Sequence, residues 1–165
     1  MIIGILADTH DRLPLVDKAV KRLNEEKVSL VLHAGDYIAP FVIPHFKLLK
    51  ADFIGVFGNN DGDKDLLRKR FAEAGLEIRG KFAEIIIDGL KIAMLHGEDE
   101  ELLRALINAE GHDVVVHAHT HEAKTYRKGE TLVINPGEVC GYLSGKSTIA
   151  ILNTETLEVK IIQIE

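Results

Sequence analysis

The sequence has little of what several classes of protein depend on. It contains a single cysteine, Cys140, and no tryptophan among its 165 residues. One cysteine cannot form an intramolecular disulfide, which excludes a small secreted domain held by disulfides and favours a reducing, cytoplasmic location. Aromatic residues make up only 5% of the chain, too few for the stacking platforms on which proteins hold single-stranded nucleic acid.

Positive charge and long apolar runs are also scarce. The chain has 20 Lys and Arg against 26 Asp and Glu, a net charge of −6, which argues against stable nucleic-acid binding through phosphate neutralisation. No apolar run approaches the roughly 18 residues of a membrane span. The apolar start of the chain lacks the basic flank of a signal peptide, and we interpret it as a strand. We therefore expect neither a nucleic-acid partner nor a membrane partner.

Short runs rich in Val, Ile and Leu alternate with longer segments of helical periodicity through the first two thirds of the chain. This alternation is typical of βαβ units around buried parallel strands, and the last third is mostly β. We expect an α/β fold in which residues 1–165 form one domain of two packed sheets with helices outside. Strands are predicted over 1–7, 28–32, 52–57, 113–117, 123–127, 131–134, 147–152 and 157–164, a hairpin over 82–95 that turns at Asp88-Gly89, and helices over 14–26, 40–50, 63–74 and 99–110.

Side chains able to bind metal follow five of the predicted strands. In open α/β sheets, ligands gather beyond the carboxyl ends of the strands, so we expect these five ends to converge. In extended chain, side chains two residues apart point the same way, so Asp8 with His10, and His119 with His121, would each present a pair of ligands. The five segments are Asp8-Thr9-His10, His33-Ala34-Gly35-Asp36, Gly58-Asn59-Asn60-Asp61, His96-Gly97 and His117-Ala118-His119-Thr120-His121.

The predicted ligands are two carboxylates, one amide oxygen and four imidazoles: Asp8, His10, Asp36, Asn59, His96, His119 and His121. Mixed nitrogen and oxygen ligation without thiolate suits Mn²⁺, Fe²⁺, Ni²⁺, Co²⁺ or Zn²⁺ better than Ca²⁺ or Mg²⁺ alone. One ion does not need seven ligands, whereas two ions that share a bridging Asp use them well. Two divalent ions about 3.5–4 Å apart promote in-line displacement at phosphorus, so the inferred chemistry is phosphoester hydrolysis.

The ordered series D-x-H, G-D, G-N-x-D, H-G and H-x-H resembles the calcineurin-like metallophosphoesterase superfamily, and the small size resembles its single-domain YfcE-type phosphodiesterases. The resemblance runs from Asp8 to His121 and extends to the Asn135-Pro136-Gly137 turn. It implies a four-layer α-β-β-α sandwich of two packed mixed sheets. It also implies two divalent transition-metal ions, manganese or nickel, with iron, cobalt or zinc as alternatives.

The resemblance further implies how the ligands are shared. One ion would be held by Asp8, His10, Asp36 and His121, and the other by Asp36, Asn59, His96 and His119, with Asp36 as the bridge. A metal-bridging hydroxide would then attack phosphorus while both ions and the imidazoles stabilise the developing charge. The residues that we expect to take part in catalysis are Asp36, Asn59, Asn60 and His96.

Two positions depart from the common pattern of the superfamily. Many members have His where this chain has Asn60, and an amide cannot serve as a general acid. Small YfcE-type members also lack this His, so the resemblance favours a small-molecule phosphodiester as substrate. The second departure is Ala118 in place of glycine, which we expect to be tolerated if the backbone there does not need positive φ.

Two alternatives to the phosphodiesterase remain open. The first is a phosphomonoesterase that uses the same site. The second is a non-catalytic, protein-binding scaffold like the small metallophosphoesterase-like subunit of the retromer coat, which resembles these enzymes. Edge strands in the β-rich tail could also pair between two copies of the chain, so we expect a possible homodimer.

Other polar residues near the predicted site receive structural interpretations. We expect His33 and His117 to lie behind the ligands or in the core, and Cys140 to be a small buried residue. Asp11 is expected to cap the first helix, and Asp61 to position a ligand or cap the helix near residue 63. Arg12 is a candidate for contact with a substrate phosphate, although a structural role is favoured.

Overall fold

Two mixed β-sheets stack face to face in this structure, a computed structural model that describes residues 1–165. The strands are β1 (Ile2–Leu6), β2 (Leu30–His33), β3 (Asp52–Gly55), β4 (Glu77–Ile78), β5 (Phe82–Ile87), β6 (Leu90–Leu95), β7 (Val114–Val116), β8 (Ala123–Lys128), β9 (Thr131–Pro136), β10 (Thr148–Asn153) and β11 (Val159–Gln163). The helices are α1 (Leu13–Glu25), a 3₁₀ turn (Pro40–Val42), α2 (Ile43–Phe46), α3 (Lys64–Glu73) and α4 (Glu100–Asn108).

Parallel strands lie at the centre of both sheets. The six-stranded sheet has the order β11-β10-β1-β2-β3-β4, in which β1 to β4 are mutually parallel and β10 runs antiparallel to β1. The five-stranded sheet has the order β5-β6-β7-β9-β8, in which β6, β7 and β9 are parallel and the two edge strands are antiparallel. Parallel neighbours end at the same edge of a sheet, which brings the loops that follow them together.

Alternation of apolar side chains along β1 and β2 builds two separate cores. Successive residues of a strand point to opposite faces. Ile3 and Ile5 therefore join the core between the two sheets, together with Leu32, whereas Leu6 and Val31 face the helices on the outer side. Both faces of these strands are buried, as expected of a sheet covered on both sides.

Helices cover the outer face of each sheet. The apolar stripe of α1, which includes Leu15, Ala19 and Leu23, packs on the six-stranded sheet together with side chains of α2 and α3. On the opposite side, Ile107 of α4 packs against Leu95 and neighbouring residues of the five-stranded sheet. The layers thus follow the order α-β-β-α, and the predicted four-layer sandwich is confirmed. No helix has both the length and the apolar character needed to cross a membrane.

The structure differs from the prediction at two elements. β4 was not predicted, because its two residues are too few to show the alternation by which a strand is recognised in a sequence. The helix predicted over 40–50 is shorter, a 3₁₀ turn followed by the four residues of α2. The other predicted strands and helices are present with their ends shifted by at most two residues.

The helix starts confirm one expectation and correct another. Asp99 caps α4 by accepting the backbone N–H of Leu102 at 2.9 Å, which confirms that the helix predicted over 99–110 begins at this acidic residue. Asp11 does not cap α1: the N-cap is Arg12, and no side chain caps that helix. Asp11 has a left-handed backbone, φ 52°, and the turn places it one residue before the cap position.

Candidate metal centre

Loops that follow five parallel strands meet at one edge of the two-sheet sandwich. These loops follow β1, β2 and β3 in one sheet and β6 and β7 in the other. Backbone hydrogen bonds join them: the N–H of Asp8 donates to the Gly35 carbonyl at 3.1 Å, and the N–H of Ala118 to the His96 carbonyl at 2.8 Å. The edges of both sheets therefore present their polar side chains to one shared region.

Two buried carboxylates lie among three imidazoles in this region. The Nε2 atom of His10 is 3.3 Å from Asp36 Oδ2 and 3.7 Å from Asp8 Oδ1. The Nε2 atom of His96 is 3.3 Å from the same Asp36 oxygen and 3.8 Å from the same Asp8 oxygen. His121 Nε2 is 3.5 Å from Asp8 Oδ1. Five of the predicted ligands thus form one cluster.

The other two predicted ligands lie at the border of this cluster. The ring of His119 packs edge-on against that of His96, with the ring centroids 5.3 Å apart. Asn59 follows β3 and has an exposed side chain. Its neighbour Gly58 packs so closely on the β2 loop that an added Cβ would lie 2.7 Å from the Asp36 backbone nitrogen. The structure therefore brings Asn59 to the rim and not into the buried cluster.

Most of these side chains are oriented by a left-handed backbone conformation at their own residue, and not by extended chain. The expectation that Asp8 with His10, and His119 with His121, would share a direction as extended residues is wrong, because β1 ends at Leu6 and β7 at Val116. Positive φ is unfavourable for residues other than glycine, and its concentration in one place is typical of functional sites. The values are 52° at Asp8, 41° at His10, 62° at Asp36, 68° at His119 and 60° at His121. Ala118 does not have positive φ, so the absence of glycine there brings no strain.

Hydrogen bonds fix the tautomers of two imidazoles. His96 Nδ1 is 2.7 Å from the Ala34 carbonyl, and His121 Nδ1 is 2.6 Å from Glu138 Oε2. Carbonyl and carboxylate oxygens only accept hydrogen bonds, so Nδ1 carries the proton in both residues. When the rings are neutral, the lone pair of His96 Nε2 faces both Asp8 and Asp36, and that of His121 Nε2 faces Asp8.

Several buried polar atoms of the cluster lack a hydrogen-bond partner. They are both carboxylate oxygens of Asp8 and the Nε2 atoms of His10 and His96. Buried polar atoms almost always have a partner, so a group of them in one place points to a missing ligand. Ligand atoms of Asp8, His10 and Asp36 all lie within 4.8 Å of one another. Imidazole nitrogen and carboxylate oxygen at this spacing fit a divalent metal ion.

Opposite charges in the cluster shift the pKa values of its members. The carboxylates of Asp36 and then Asp8 raise the pKa of His10 to about 9. Burial by itself would raise the pKa of Asp36, but the imidazoles of His10 and His96 outweigh it and hold that pKa well below its usual range. The site therefore favours negative carboxylates, and these attract a cation of any kind.

Asn60 contacts Asp36 at both carboxylate oxygens. Its backbone N–H donates to Oδ1 at 2.9 Å and its side-chain amide donates to Oδ2 at 2.8 Å. These two bonds fix the rotation of the Asp36 carboxylate. The amide therefore occupies the position at which many superfamily members have His, and it acts there as a donor that cannot titrate.

Asp61 joins the β2 and β3 loops beneath the cluster, in line with the positioning role expected of it. Its carboxylate accepts the backbone N–H groups of Asp36 at 3.1 Å, Tyr37 at 2.6 Å, Ile38 at 2.9 Å and Gly58 at 2.7 Å. The cap of α3 is instead Asp63, which accepts the N–H of Leu66. Asp61 thus sets where Asp36 lies relative to the loop that carries Asn59 and Asn60.

Other residues near the cluster have structural roles. His33 Nδ1 accepts the Gly35 N–H at 3.1 Å, and its ring stacks on Tyr37 with the centroids 4.0 Å apart. Arg12 donates to the Cys140 carbonyl, and its guanidinium lies 5.2 Å from the centre of the Tyr142 ring. These contacts favour the structural interpretations of both His33 and Arg12.

Glu138, which no motif in the sequence indicates, is fully buried behind His121. Burial would raise the pKa of Glu138, but donors from Cys140, His121 and Ser144 outweigh it and lower that pKa to about 2. Burial, and next the Glu138 charge, raise the pKa of the Cys140 thiol to about 12, which keeps it protonated. The only signal in the sequence was an acidic residue between Asn135-Pro136-Gly137 and an apolar Val-Cys pair.

Fold and site together define an enzyme of the class that hydrolyses phosphoester bonds with divalent metal ions. The family model of the calcineurin-like phosphoesterase superfamily domain matches residues 1–157. The chain belongs to this superfamily.

Known proteins resemble the chain over its whole length. It is 43% identical to the phosphodiesterase MJ0936 of Methanocaldococcus jannaschii, with all of both chains covered. A solved structure described as an archaeal phosphodiesterase has a TM-score of 0.94 and 42% identity, with 99% of each chain covered. The phosphoesterase YfcE of E. coli has a TM-score of 0.73 at 16% identity over 100% of each chain, and this likeness concerns the fold.

Proposed function

We propose that this protein is a single-domain, metal-dependent phosphodiesterase that hydrolyses small-molecule phosphodiesters at a centre of two divalent ions. One observation carries the proposal: Asp8 and Asp36 lie buried among the Nε2 atoms of three histidines at 3.3–3.8 Å, and most of these atoms lack other partners. The preference for diesters is supported by the 43% identity to a phosphodiesterase.

The proposed sharing of ligands is the one that the family resemblance implies, and the geometry around Asp36 supports it. Asp8, His10, Asp36 and His121 would hold one ion, and Asp36, Asn59, His96 and His119 the other. In support, Asp36 Oδ2 lies 3.3 Å from His10 Nε2 and 3.3 Å from His96 Nε2, which belong to different ligand sets. A carboxylate between two sets can bridge two ions. Manganese or nickel is proposed, with iron, cobalt or zinc as alternatives.

Bound ions of this kind supply a hydroxide nucleophile near neutral pH and stabilise charge on the phosphoryl oxygens. The residues of the chain orient and hold the centre. Asn60 keeps the Asp36 carboxylate in one rotation through its two hydrogen bonds. Because the amide of Asn60 cannot donate a proton to a leaving alkoxide, esters with good leaving groups should react fastest.

The test compares two substrates with the same metal-stripped protein. Mn²⁺ or Ni²⁺ is added back, and hydrolysis of a bis-aryl phosphate is measured against that of a mono-aryl phosphate. We expect the diester to be hydrolysed faster. Faster turnover of the monoester would replace the proposal with a phosphomonoesterase, and no turnover of either would favour the scaffold.

A substitution tests the bridging carboxylate separately. Asp36→Asn removes the charge shared by the two ligand sets with little change of shape, and we expect at least about a 100-fold loss of turnover, since metal ligation normally needs the ionised group. The matched control is Asp65→Asn, an exposed position in the first turn of α3. Unchanged turnover in Asp36→Asn would contradict the two-ion mechanism.

A further inference from the structure

We propose that Glu138 is a positioning residue of the metal centre: its buried carboxylate holds the imidazole of His121 toward Asp8 and also holds the neighbouring segment 142–144 in place. The inference rests on the proposed metal-dependent function. Glu138 lies outside the proposed ligand set, and it would serve the ion that His121 helps to hold.

Glu138 contacts the imidazole of His121 directly. Glu138 is 0% exposed, and its Oε2 lies 2.6 Å from His121 Nδ1. The opposite nitrogen of the same ring, Nε2, lies 3.5 Å from Asp8 Oδ1. The carboxylate therefore holds the proton on Nδ1 and leaves the other nitrogen available to an ion beside Asp8. A carboxylate in this position fixes the ring of a ligating histidine and raises its basicity.

The Nδ1 partner of His96 differs from that of His121. The His96 ring is held in the same way at Nδ1, but by the carbonyl of Ala34 at 2.7 Å. A peptide carbonyl has no net charge, so it orients the ring without the full electrostatic effect of a carboxylate. His96 and His121 belong to different proposed ligand sets. Loss of Glu138 should therefore weaken the ion held by His121 and leave the other ion unaffected.

The carboxylate of Glu138 also contacts segment 142–144. Glu138 accepts the backbone N–H groups of Tyr142 at 3.0 Å, Leu143 at 3.0 Å and Ser144 at 2.6 Å, and the Ser144 hydroxyl at 2.7 Å. Tyr142 and Leu143 are nevertheless 60% and 74% exposed. The segment is thus held by its backbone while its side chains face solvent. These donors satisfy the oxygens of a charge that would otherwise be costly to bury.

The experiment measures metal binding and not turnover. Metal-stripped protein is titrated with Mn²⁺ by calorimetry, for the wild type and for Glu138→Gln, which keeps the size of the side chain and removes its charge. We expect binding at one of two sites to weaken about 10- to 100-fold and binding at the other to stay unchanged. Equal binding by the two proteins would overturn the proposal.

A double-mutant cycle separates positioning from a general loosening of the fold. If Glu138 acts through His121, Glu138→Gln should change Mn²⁺ affinity in the wild-type background and have no further effect in His121→Ala. The same loss in both backgrounds would show that Glu138 acts through the fold and would overturn the proposal. Ser144→Ala, which removes one contact with Glu138 and none with His121, should lower stability slightly and leave Mn²⁺ affinity unchanged.

Conservative replacement keeps the test decisive if Glu138→Gln does not fold. Glu138→Asp retains the charge but withdraws it by one methylene, and we expect an affinity between those of the wild type and His121→Ala. Wild-type affinity of Glu138→Asp for Mn²⁺ would show that the position of the carboxylate does not matter, and would contradict the proposal. Failure of the proposed function has a different signature, in which the wild type binds Mn²⁺ and hydrolyses no diester. A wild type that binds neither Mn²⁺ nor Ni²⁺ would overturn both proposals.

Discussion

Two buried carboxylates beside the cluster, those of Asp61 and Glu138, each satisfy several donors that belong to other segments of the chain. Asp61 accepts four backbone N–H groups from the β2 and β3 loops, and Glu138 accepts three from segment 142–144. A carboxylate can accept on both oxygens and donates nothing, which suits a site where backbone N–H groups converge. These two residues should therefore influence stability more than their distance from the reacting atoms suggests.

Asp61→Asn tests this influence. The side-chain NH₂ of Asn would face backbone N–H donors, so at least one buried donor would lose its partner. We expect a loss of about 1–3 kcal/mol in the free energy of unfolding, measured with urea. Asp63→Asn is the control in the same loop, because Asn caps a helix as well as Asp does, and it should be nearly neutral. Equal effects of the two substitutions would contradict the assigned role of Asp61.

The low pKa of Glu138 predicts a dependence of stability on pH. Its pKa is about 2 in the folded protein against 4.5 for the free side chain. The unfolded chain therefore takes up the proton first as pH falls, and this contribution to stability is complete above pH 4.5 and is lost toward pH 2. Urea unfolding at a series of pH values should show a shallower decline for Glu138→Gln than for the wild type. Glu130→Gln, at an exposed position, should keep the wild-type slope.

At the level of elements, the loops after β2 and β3 are packed on each other without room for a further atom. The approach is close at Gly58, where an added Cβ would lie 2.7 Å from the backbone nitrogen of Asp36. This contact sets the separation of two strand ends, and through it the separation of Asp36 from the residues that follow Gly58. Glycine is needed there for close approach of backbone.

Gly58→Ala should therefore push the two loops apart. We expect a loss of about 1–3 kcal/mol in stability, as for other overpacked sites, together with weaker Mn²⁺ binding. Gly111→Ala is the matched control, because a Cβ there would meet nothing within 4 Å and φ is not in the left-handed region. Thermal unfolding and metal titration of both variants make the comparison. Wild-type binding in Gly58→Ala would show that the loops can separate without disturbing the site.

In the molecule as a whole, an acidic chain has to receive an anionic substrate. The net charge is −6, and the buried carboxylates add local negative charge where a phosphodiester would bind. Two bound divalent ions would make the local charge of that region positive and leave the charge of the remaining surface unchanged. Bound ions would thus allow an acidic chain to act on anionic phosphoesters. The homodimer and the cytoplasmic location remain predictions.

Metal removal should lower the stability of the whole protein. Ions that bind only the folded chain stabilise it by about 2.7 kcal/mol at a free concentration 100 times their dissociation constant. Thermal unfolding with saturating Mn²⁺ should therefore give a higher Tm than the same protein in EDTA. The difference should shrink in Asp36→Asn, which has lost the bridging charge. A Tm that does not depend on Mn²⁺ would contradict the assignment of the cluster as a metal centre.

Local patterns were sufficient to predict most of the fold. Short runs of Val, Ile and Leu are a property of adjacent residues, so β1, β2 and the hairpin of β5 and β6 could be recognised from their own sequence. The same holds for α4, whose acidic start is a local signal. β4 could not be recognised, since its two residues pair with β3 only because the sheet brings them together.

The sequence by itself was sufficient to indicate the five residues of the buried cluster, because their chemistry and their place after parallel strands can be read along the chain. The tertiary structure alone decided how they are aimed. The left-handed backbone at Asp8 and His10 is held by hydrogen bonds to the loop that follows β2. The bond from His121 to Glu138 joins residues 17 positions apart, and such a contact exists only after β8 and β9 have paired and brought the two side chains together.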